Sequence, residues 1–433
     1  MILNKQAAYV FLILICFSAC KGVKQISSEN RAGIYQDKSL LLDVDYTVQH
    51  NNDSISQLIY QFPLENLLFV KNGSGKSLCD FMVIVKFYSS YNSSDPFSTD
   101  TLKDFQIQYS NTTFTDSLKL NLGLGKSYLI EIVFRDKHRD FEQSNLLYVE
   151  KENRNQHAFF NASKNNTPLF KPLINVGDSI RIGHYKAEQI FVRYYNRAFR
   201  LAHPPFNIYN DEAFDFNEDS SFIYYPNQNI VFNKPGMYHF QTGSNQVDGY
   251  TIICNRKNYP CISEATQMIE PLRFITTNRE YENLISDTLN IKKNIDELWL
   301  DAAGNAVRAR LLISTYYGRV EKANKLFTSY HEGWRTDRGM IYTVFGAPNI
   351  LYQTQYGETW VYGKESSSLS YAFNFSKVTN PFSDNDYQLN RSSMYRASWS
   401  AAVDFWRQGR IFNSNTARQE QQYYERQQSP IWY

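Results

Sequence analysis

The stretch HEGWRTDRGMIYTVFGAPN, residues 331–349, places a histidine, two acids, two arginines and a tryptophan within its first eight positions. Glycines at 333 and 339 permit backbone turns that a side chain would block. The apolar run Met340–Phe345 then ends at Gly346-Ala347-Pro348, which is typical of a strand followed by a turn. The stretch is therefore predicted to be a rigid turn, and its polar side chains are the first candidates for a functional site.

One interpretation of this turn is an active site. Asp337 would act as a general base, and Arg335 or Arg338 would steady an anion. His331 and Glu332 add two titratable groups a few residues upstream. An acid, a base and a neighbouring tryptophan suit the hydrolysis of a glycan or a peptide.

The other interpretation is a structural or recognition turn. Thr336 and Asp337 belong to the residue types that hydrogen-bond backbone amides in turns. Trp334 offers a large apolar surface with one N–H that needs a partner. Arg338 can pair with Asp337 or with Glu358 on the next strand, although a partly buried pair needs further hydrogen bonds to offset its desolvation. We favour this interpretation because it accounts for the glycines as well as the polar residues, and we assign no catalytic residue.

The residues before the turn predict helices. Thr277 and Glu280 stand at the spacing of a capping box, in which the two side chains accept each other's backbone amide hydrogens. Apolar residues then recur at intervals of three and four, the period of a helix face. These residues are Tyr281, Leu284, Ile285, Ile291, Ile295, Leu298, Trp299, Leu312, Tyr316, Val320, Ala323 and Phe327. The helices are expected to end where the turn begins.

The residues after the start of the turn predict a small antiparallel sheet. Short strands are predicted at 340–345, 358–363 and 369–375, and a further helix is predicted at 398–407. Helices packed on this sheet would make an α+β domain. The residues at 412–433 are polar and rich in glutamine, and we expect an extended tail.

The region that precedes the helices predicts two all-β sandwich-like domains, at 39–160 and 166–260. Apolar and aromatic runs alternate with turn residues, which is typical of antiparallel sandwiches. The clearest strands are predicted at 81–88, 127–134 and 190–195. The whole chain is thus predicted to be multidomain, with two all-β sandwich-like domains followed by an α+β C-terminal domain.

The composition excludes several classes of protein. The chain has 433 residues, more than one hydrophobic core usually supports, and 16% of them are aromatic. Its formal net charge of +2 provides no overall field to attract nucleic acid. The 7 histidines are scattered, and no spacing matches a zinc site. We therefore expect no nucleic-acid partner, no metal and no cofactor, while a small-molecule ligand stays unknown.

The N-terminus is typical of a secretory signal peptide. A basic residue precedes an apolar run at 7–17, which is short for a membrane span. The sequence Phe17-Ser18-Ala19-Cys20 resembles a bacterial lipobox. Residues 1–19 are thus predicted to be a lipoprotein signal peptide, Cys20 to be the lipidation site and 20–38 to be a flexible tether. Acyl chains such as palmitate on Cys20 would hold the protein at a membrane.

Two cysteines flank a turn-like segment. Cys254 and Cys261 enclose Asn255–Pro260 and would close a small loop if they were oxidised. A cell-envelope compartment permits disulfides, so a Cys254–Cys261 pair is an expectation of the sequence. Neither cysteine has a histidine nearby in the sequence, and a thiol nucleophile has no support.

Gly333-Trp334-Arg335-Thr336-Asp337 matches the motif that names the GWxTD domain family of bacterial envelope proteins. The resemblance covers residues 268–411. Matching segments outside the motif are 316–320, 337–342, 345–348 and 358–363. The resemblance implies an envelope lipoprotein of the Bacteroidota and supplies no catalytic residue. The candidate structural or recognition residues are Gly333, Trp334, Thr336, Asp337, Arg338, Gly339, Glu358 and Trp360.

These observations predict an outer-membrane-anchored lipoprotein that serves as a protein–protein interaction or structural component of an envelope complex. Assembly or secretion of outer-membrane proteins is a reasonable setting for such a complex. The expected partners are the membrane, through lipid on Cys20, and outer-membrane or other envelope proteins, with the face of the membrane left open.

Two alternatives remain from the sequence, a glycan- or peptide-directed hydrolase centred on Asp337 and a carbohydrate-binding lipoprotein that uses tryptophan platforms. An open cleft with a second acid or base facing Asp337 would favour the hydrolase. Parallel exposed rings on one sheet would favour the sugar binder. A buried Asp337 held by backbone hydrogen bonds would favour the interaction module.

Overall fold

The computed structural model describes residues 25–36, 42–110, 112–139, 141–208, 214–363 and 370–413. Within these residues, four β-sheets precede the helical region and a fifth lies inside it. The predicted multidomain fold, two all-β units followed by an α+β unit, is confirmed. The predicted signal peptide and Cys20 lie outside the described residues.

The first all-β unit, within the part of the chain described, is built from β1 (Asp45–His50), β2 (Ile55–Pro63), β3 (Val70–Lys71), β4 (Ser77–Tyr88), β5 (Ser98–Gln108), β6 (Thr113–Asn121), β7 (Lys126–Asp136) and β8 (Phe141–Lys151). One sheet has the order β1-β2-β6, and the other has the order β3-β4-β7-β8 with β5 also paired to β4. Every second residue of β4 is buried, as expected for a strand with one face on a core. Phe62 of the first sheet packs against Phe81 and Phe134 of the second, so the two sheets form a sandwich.

The second all-β unit is built from β9 (Phe160–Lys164), β10 (Thr167–Pro168), β11 (Leu173–Asn175), β12 (Ser179–His184), β13 (Ile190–Tyr195), β14 (Ser220–Tyr224), β15 (Asn229–Val231), β16 (Gly236–Gln241) and β17 (Tyr250–Asn255). Its sheets, β10-β9-β12-β15 and β11-β17-β16-β13-β14, enclose a core that includes Ile182, Val192 and Phe240. β11 pairs with β17 in parallel. Phe160 is buried in this core, so the unit begins before the expected boundary at 166.

The expected Cys254–Cys261 disulfide is not formed. Cys254 lies on β17 with its thiol in the core of the second unit, while Cys261 is exposed, and both are free. Burial raises the pKa of the Cys254 thiol to about 12. The strand therefore turns this side chain inward, away from the loop that the pairing would have closed.

The α+β unit contains α1 (Ala265–Ile269), α2 (Asn278–Ser286), α3 (Ile291–Ala303), α4 (Ala306–Phe327), α5 (Asp337–Phe345) and α6 (Tyr395–Arg407), together with β18 (Ile350–Thr354), β19 (Gly357–Tyr362), β20 (Tyr371–Lys377) and β21 (Tyr387–Leu389). The sheet is antiparallel in the order β18-β19-β20-β21. The capping box at the start of α2 is confirmed: the Thr277 N–H donates to Glu280 (2.8 Å), and the Glu280 N–H donates to Thr277 (3.3 Å). Helices and sheet share one core, in which Trp299, Tyr316 and Trp360 are almost fully buried.

The predicted strand at 340–345 is wrong, because these residues belong to helix α5. All nine residues of α5 are buried, so its sequence has no polar stripe to mark a helical period. A short apolar run of this kind is compatible with either a buried strand or a buried helix. The helices therefore continue past the turn, and the first strand of the sheet is β18.

The structure corrects the predicted flexible tether at 20–38 over residues 25–36, the part of it that is described. Residues 25–36, here named the N-terminal strap, lie against the folded units as two short 3-10 turns. Ile26, Ala32 and Tyr35 of the strap are buried. The polar composition of this segment predicted flexibility, but these three side chains provide enough apolar surface to hold it.

The N-terminal strap joins the first unit to the α+β unit. The Ile26 N–H donates to the Ser93 carbonyl in the β4–β5 loop (3.0 Å). The Arg31 N–H donates to the Leu351 carbonyl on β18 (2.9 Å). The Arg31 side chain pairs with Glu131 of β7 at 3.1 Å, with both side chains almost fully buried.

The predicted tail at 412–433 begins inside the fold. Phe412 is buried against Phe345 and Phe405, so it belongs to the core of the α+β unit. Residues 414–433 lie outside the described part of the chain. Among the helices that the structure describes, none is both long and apolar enough to cross a membrane.

Acid should destabilise the second unit through His239 on β16. This imidazole is buried, with its ring nitrogens 2.9 Å from Thr251 Oγ1 and 2.9 Å from the Val247 carbonyl. Burial lowers the pKa of His239 to about 4. The unfolded chain takes up a proton below its own pKa of about 6.5, so this contribution is complete above pH 6.5 and is lost as the pH falls towards 4.

We expect the urea midpoint of the second unit to be lower at pH 4.5 than at pH 7.5. Protonation of His239 should account for a loss of roughly 2–3 kcal/mol in the free energy of unfolding. His239→Gln keeps hydrogen-bonding capacity but does not titrate. The fall in the urea midpoint between the two pH values should therefore be smaller in this variant. His138→Gln, at a half-buried surface position, is the matched control. An equal loss in the wild type and in His239→Gln would contradict the assignment.

Candidate functional site

The motif turn, residues Glu332–Thr336, lies directly on helix α4. It makes a 3-10 turn at Gly333–Arg335 and leads into α5. A Cβ atom at Gly333 would lie 2.1 Å from the Ala323 carbonyl oxygen, and one at Gly339 would lie 1.9 Å from the Gly333 carbonyl oxygen. The glycines are therefore required by close backbone contact between the turn, α4 and α5.

Side chains satisfy the backbone of this turn. Thr336 Oγ1 accepts the Gly339 N–H (3.0 Å) and donates to the Gly333 carbonyl (2.7 Å), so it is the N-cap of α5. From α4, Asn324 Oδ1 accepts the Trp334 N–H (3.2 Å). The predicted backbone bonding by Thr336 is confirmed, and the turn is fixed at both ends.

Trp334 is a buried packing residue. Its ring packs against Phe274, with centroids 5.9 Å apart, and its Nε1 donates to Glu332 (3.2 Å). The Arg335 guanidinium lies 4.6 Å above the Trp334 ring and also bonds Glu332 (2.7 Å) and Glu270. A ring enclosed in this way offers no open platform for a sugar.

Asp337 joins the start of α5 to the end of β21. Its carboxylate accepts the Leu389 N–H (2.7 Å) and two N–H groups of Arg391 (2.9 and 2.5 Å). Both side chains of this ion pair are less than 10% exposed. A carboxylate at the first turn of a helix also interacts favourably with the helix dipole.

Of the two partners considered for Arg338, Asp337 and Glu358, the structure pairs it with Glu358 of β19. The closest N–O distance is 3.3 Å, and both side chains are almost fully buried. The Arg338 guanidinium also donates to the Asn385 carbonyl (3.0 Å) and lies 3.8 Å from the Tyr387 ring centroid. Burial alone would lower the pKa of Arg338, but the Glu358 carboxylate, together with Tyr35 and Tyr387, outweighs this effect and the pKa is raised.

Tyr35 of the N-terminal strap inserts into this ion pair. Its hydroxyl donates to Glu358 (2.9 Å), which also accepts the Trp360 Nε1–H (2.8 Å). Its ring packs against Phe327 and Trp360, at centroid distances of 5.1 and 5.2 Å. The strap backbone is held too, because the Tyr342 hydroxyl donates to the Tyr35 carbonyl (3.0 Å). Burial, followed by the Glu358 charge, raises the pKa of Tyr35 well above its usual value.

The eight candidate residues from the sequence thus lie in one continuous network, at the junction of α4, α5, β19 and the strap. Sequence reasoning missed several partners in it, among them Tyr35, Asn385 and Arg391. Each of these three comes from a segment far from the motif, and no local pattern marked it. Cys20, the lipidation candidate, lies outside the described residues.

A cavity of about 560 Å³ lies beside the motif turn. His331, Arg335 and Asp337 are among its lining residues, together with Phe199. The His331 ring stacks on Phe199, with centroids 5.1 Å apart, and burial lowers the pKa of His331 to about 4. In the residues that the structure describes, no group of three or more histidines, cysteines or carboxylates is placed to hold a metal ion.

A family model described as the GWxTD domain matches residues 236–408. The chain contains a GWxTD domain. The match begins at Gly236, the first residue of β16, so it includes two strands of the second sandwich as well as residues 268–408 of the predicted α+β region at 268–411. The GWxTD motif is therefore the turn whose geometry is described above.

Other comparisons add little to this family assignment. No curated protein matches the GWxTD chain. Solved structures that match include red sea bream transglutaminase, at 7% identity and a TM-score of 0.19, over 51% of this chain and 32% of that chain. The chain spans about a third of the length of that enzyme, and a likeness of this size supports no argument about fold or activity.

Asp337→Asn should unfold the GWxTD domain more readily. The amide keeps an oxygen for the Leu389 N–H but loses the charge that faces Arg391. Removing one partner of a buried ion pair costs about 3–5 kcal/mol, so we expect the thermal midpoint to fall by several degrees. Asp301→Asn, at an exposed position of α3, is the control and should leave the midpoint unchanged. An unchanged midpoint for Asp337→Asn would contradict the structural role.

Tyr35→Phe should loosen the N-terminal strap without removing its ring from the socket. The variant loses the hydroxyl that donates to Glu358, and a hydrogen bond to a charged group contributes about 1.5–3 kcal/mol. Hydrogen exchange of peptides from residues 26–36 should become at least about tenfold faster. Tyr356→Phe, on a 75% exposed ring, is the matched control. Unchanged exchange in the strap would show that the hydroxyl does not hold it.

Proposed function

We propose that this GWxTD protein is a lipid-anchored structural or protein–protein interaction component of a cell-envelope complex. Its anchor would be Cys20 in the outer membrane of a bacterium of the Bacteroidota. Its partners would be outer-membrane or other envelope proteins, in a complex that assembles or secretes such proteins. The observation that carries the proposal is that the motif is used inside the molecule, while the adjoining Arg338–Glu358 pair holds Tyr35 of the strap that leads to Cys20.

The state of Asp337 supports a structural rather than a catalytic motif. A general base needs a lone pair directed at its substrate. The Asp337 carboxylate is instead engaged by the Leu389 N–H and by Arg391 at two positions. Arg338 and Glu358 are likewise directed at each other and at Tyr35.

The edge of the second sandwich supports a role in protein binding. β14 is the edge strand of its sheet, and four of its five residues are exposed. Phe222 and Ile223 on this strand and Tyr225 just beyond it are exposed large apolar residues. Natural edge strands are usually protected by charges, prolines or bulges, because an open edge can pair with another strand. β14 contains no charged residue.

The cavity beside Asp337 is the observation that favours a second candidate, hydrolysis of a glycan or a peptide. His331 and Arg335 share this cavity, and burial keeps His331 neutral at pH 7. Asp337→Asn separates the two candidates. Loss of turnover with an unchanged thermal midpoint supports the hydrolase. A lowered thermal midpoint supports the structural role of Asp337. Sugar binding through Trp334 or Trp360 is not favoured, since both rings are buried.

The anchor and the partner can be tested together in native membranes. Cys20→Ser should abolish incorporation of radiolabelled palmitate and release the protein from the membrane fraction, because the acyl chains supply the membrane affinity. Crosslinked pull-down of the wild type should recover a defined outer-membrane protein. Cys261→Ser removes an exposed thiol and should leave labelling, fractionation and pull-down unchanged. Unlabelled wild-type protein would overturn the proposed anchor.

A further inference from the structure

The N-terminal strap determines how far the folded units can move from a lipid on Cys20. This inference rests on the proposed lipidation. Gln25 is the first residue of the strap, and an extended chain spans at most about 3.5 Å per residue, so Cys20 lies within roughly 17 Å of Gln25. An acylated cysteine lies at the level of the lipid headgroups, because its chains enter the hydrocarbon. The folded units are therefore held close to the bilayer. A flexible tether that ran to residue 38 would let them move farther from it.

The β4–β5 loop, residues 89–97, is the part of the first unit closest to the start of the strap. The Ile26 N–H donates to the Ser93 carbonyl (3.0 Å), and the Ser27 N–H donates to the Tyr91 carbonyl (2.9 Å). Gln25 precedes Ile26 in the chain, so it lies next to the residue that is hydrogen-bonded to this loop. A lipid on Cys20 would therefore be joined to the chain only a few residues from this loop.

The chemistry of the loop suits the headgroup region of a bilayer. Phe97 at the end of the loop is 67% exposed. It lies within about 14 Å of Ser93, the most that four residues can span. The rest of the loop consists of serine, asparagine, tyrosine and proline, with Asp95 as its charged residue. Aromatic side chains at membrane-facing positions favour the interface, where one side is apolar and the other is wet.

We propose that the β4–β5 loop contacts the lipid bilayer that holds Cys20, with Phe97 in the headgroup region as a second membrane contact. A single aromatic ring binds a bilayer weakly by itself. The lipid on Cys20 raises the local concentration of bilayer at the loop, so a weak contact becomes sufficient. Two contact points, one covalent and one through the loop, fix the orientation of the first unit on the membrane.

The test uses the full mature protein, purified with its lipid and placed in liposomes of phosphatidylethanolamine and phosphatidylglycerol. Phe97→Cys in a Cys261→Ser background carries an environment-sensitive fluorophore, since the remaining thiols of Cys79 and Cys254 are buried. Val307→Cys is the matched control. It is 77% exposed near the start of α4, roughly 30 Å along the helix from Phe327, the neighbour of Tyr35.

We expect the fluorophore at position 97 to shift its emission to the blue on liposomes and to be quenched by nitroxide-labelled lipid, and the fluorophore at position 307 to do neither. Equal, water-like emission at both positions, with acylated Cys20 verified by mass spectrometry, would overturn the loop contact and leave the proposed anchor intact. Absence of acyl chains on Cys20 would instead overturn the proposed anchor and the loop contact together.

Discussion

The burial of Arg338 against Glu358 is the constraint on which the GWxTD domain depends. Removing two charges from water costs several kcal/mol per ion, and an interior ion pair offsets this only if its other hydrogen-bonding groups are satisfied. Here Tyr35 and Trp360 donate to the carboxylate, and the Asn385 carbonyl accepts from the guanidinium. These partners come from the strap, from β19 and from the segment before β21. The pair is therefore stable only when all of these elements are assembled, so it makes their folding cooperative.

The sequence predicted those parts of the fold in which one face of an element is buried and the other is not. β13 occupies Ile190–Tyr195 as predicted, and β4 alternates between buried and partly exposed residues along most of its length. The capping box of α2 was likewise readable because its two residues are neighbours in the chain. α5 could not be read, since every residue from Asp337 to Phe345 is buried and no polar face sets the period. Burial on all sides removes the signal on which periodicity depends.

At the candidate site, only the contacts between residues close together in the sequence could be predicted. The N-cap formed by Thr336 and the Arg338–Glu358 pair join residues 20 or fewer positions apart. Arg391 is 54 positions from Asp337, and Tyr35 is 303 positions from Arg338. Nothing in a single sequence relates residues at such separations, because only the folded topology brings them together. The same limit explains why residues 25–36 were assigned to a tether: their composition is polar, and the socket for Tyr35 is encoded elsewhere.

The position of the strap links the proposed anchor at Cys20 to the core of the GWxTD domain. Tension on a lipid at Cys20 would act along the strap towards β18. The strap resists it with the Arg31 N–H bonded to the Leu351 carbonyl, and with Asn30 Oδ1, which accepts the Leu351 N–H (3.0 Å). Four residues after Arg31, the Tyr35 ring packs against Phe327 and Trp360. Since Tyr35 also completes the Arg338–Glu358 pair, the strap cannot be withdrawn without weakening the core of the GWxTD domain. The element that would carry the load of the anchor is thus the element that completes the Arg338–Glu358 pair.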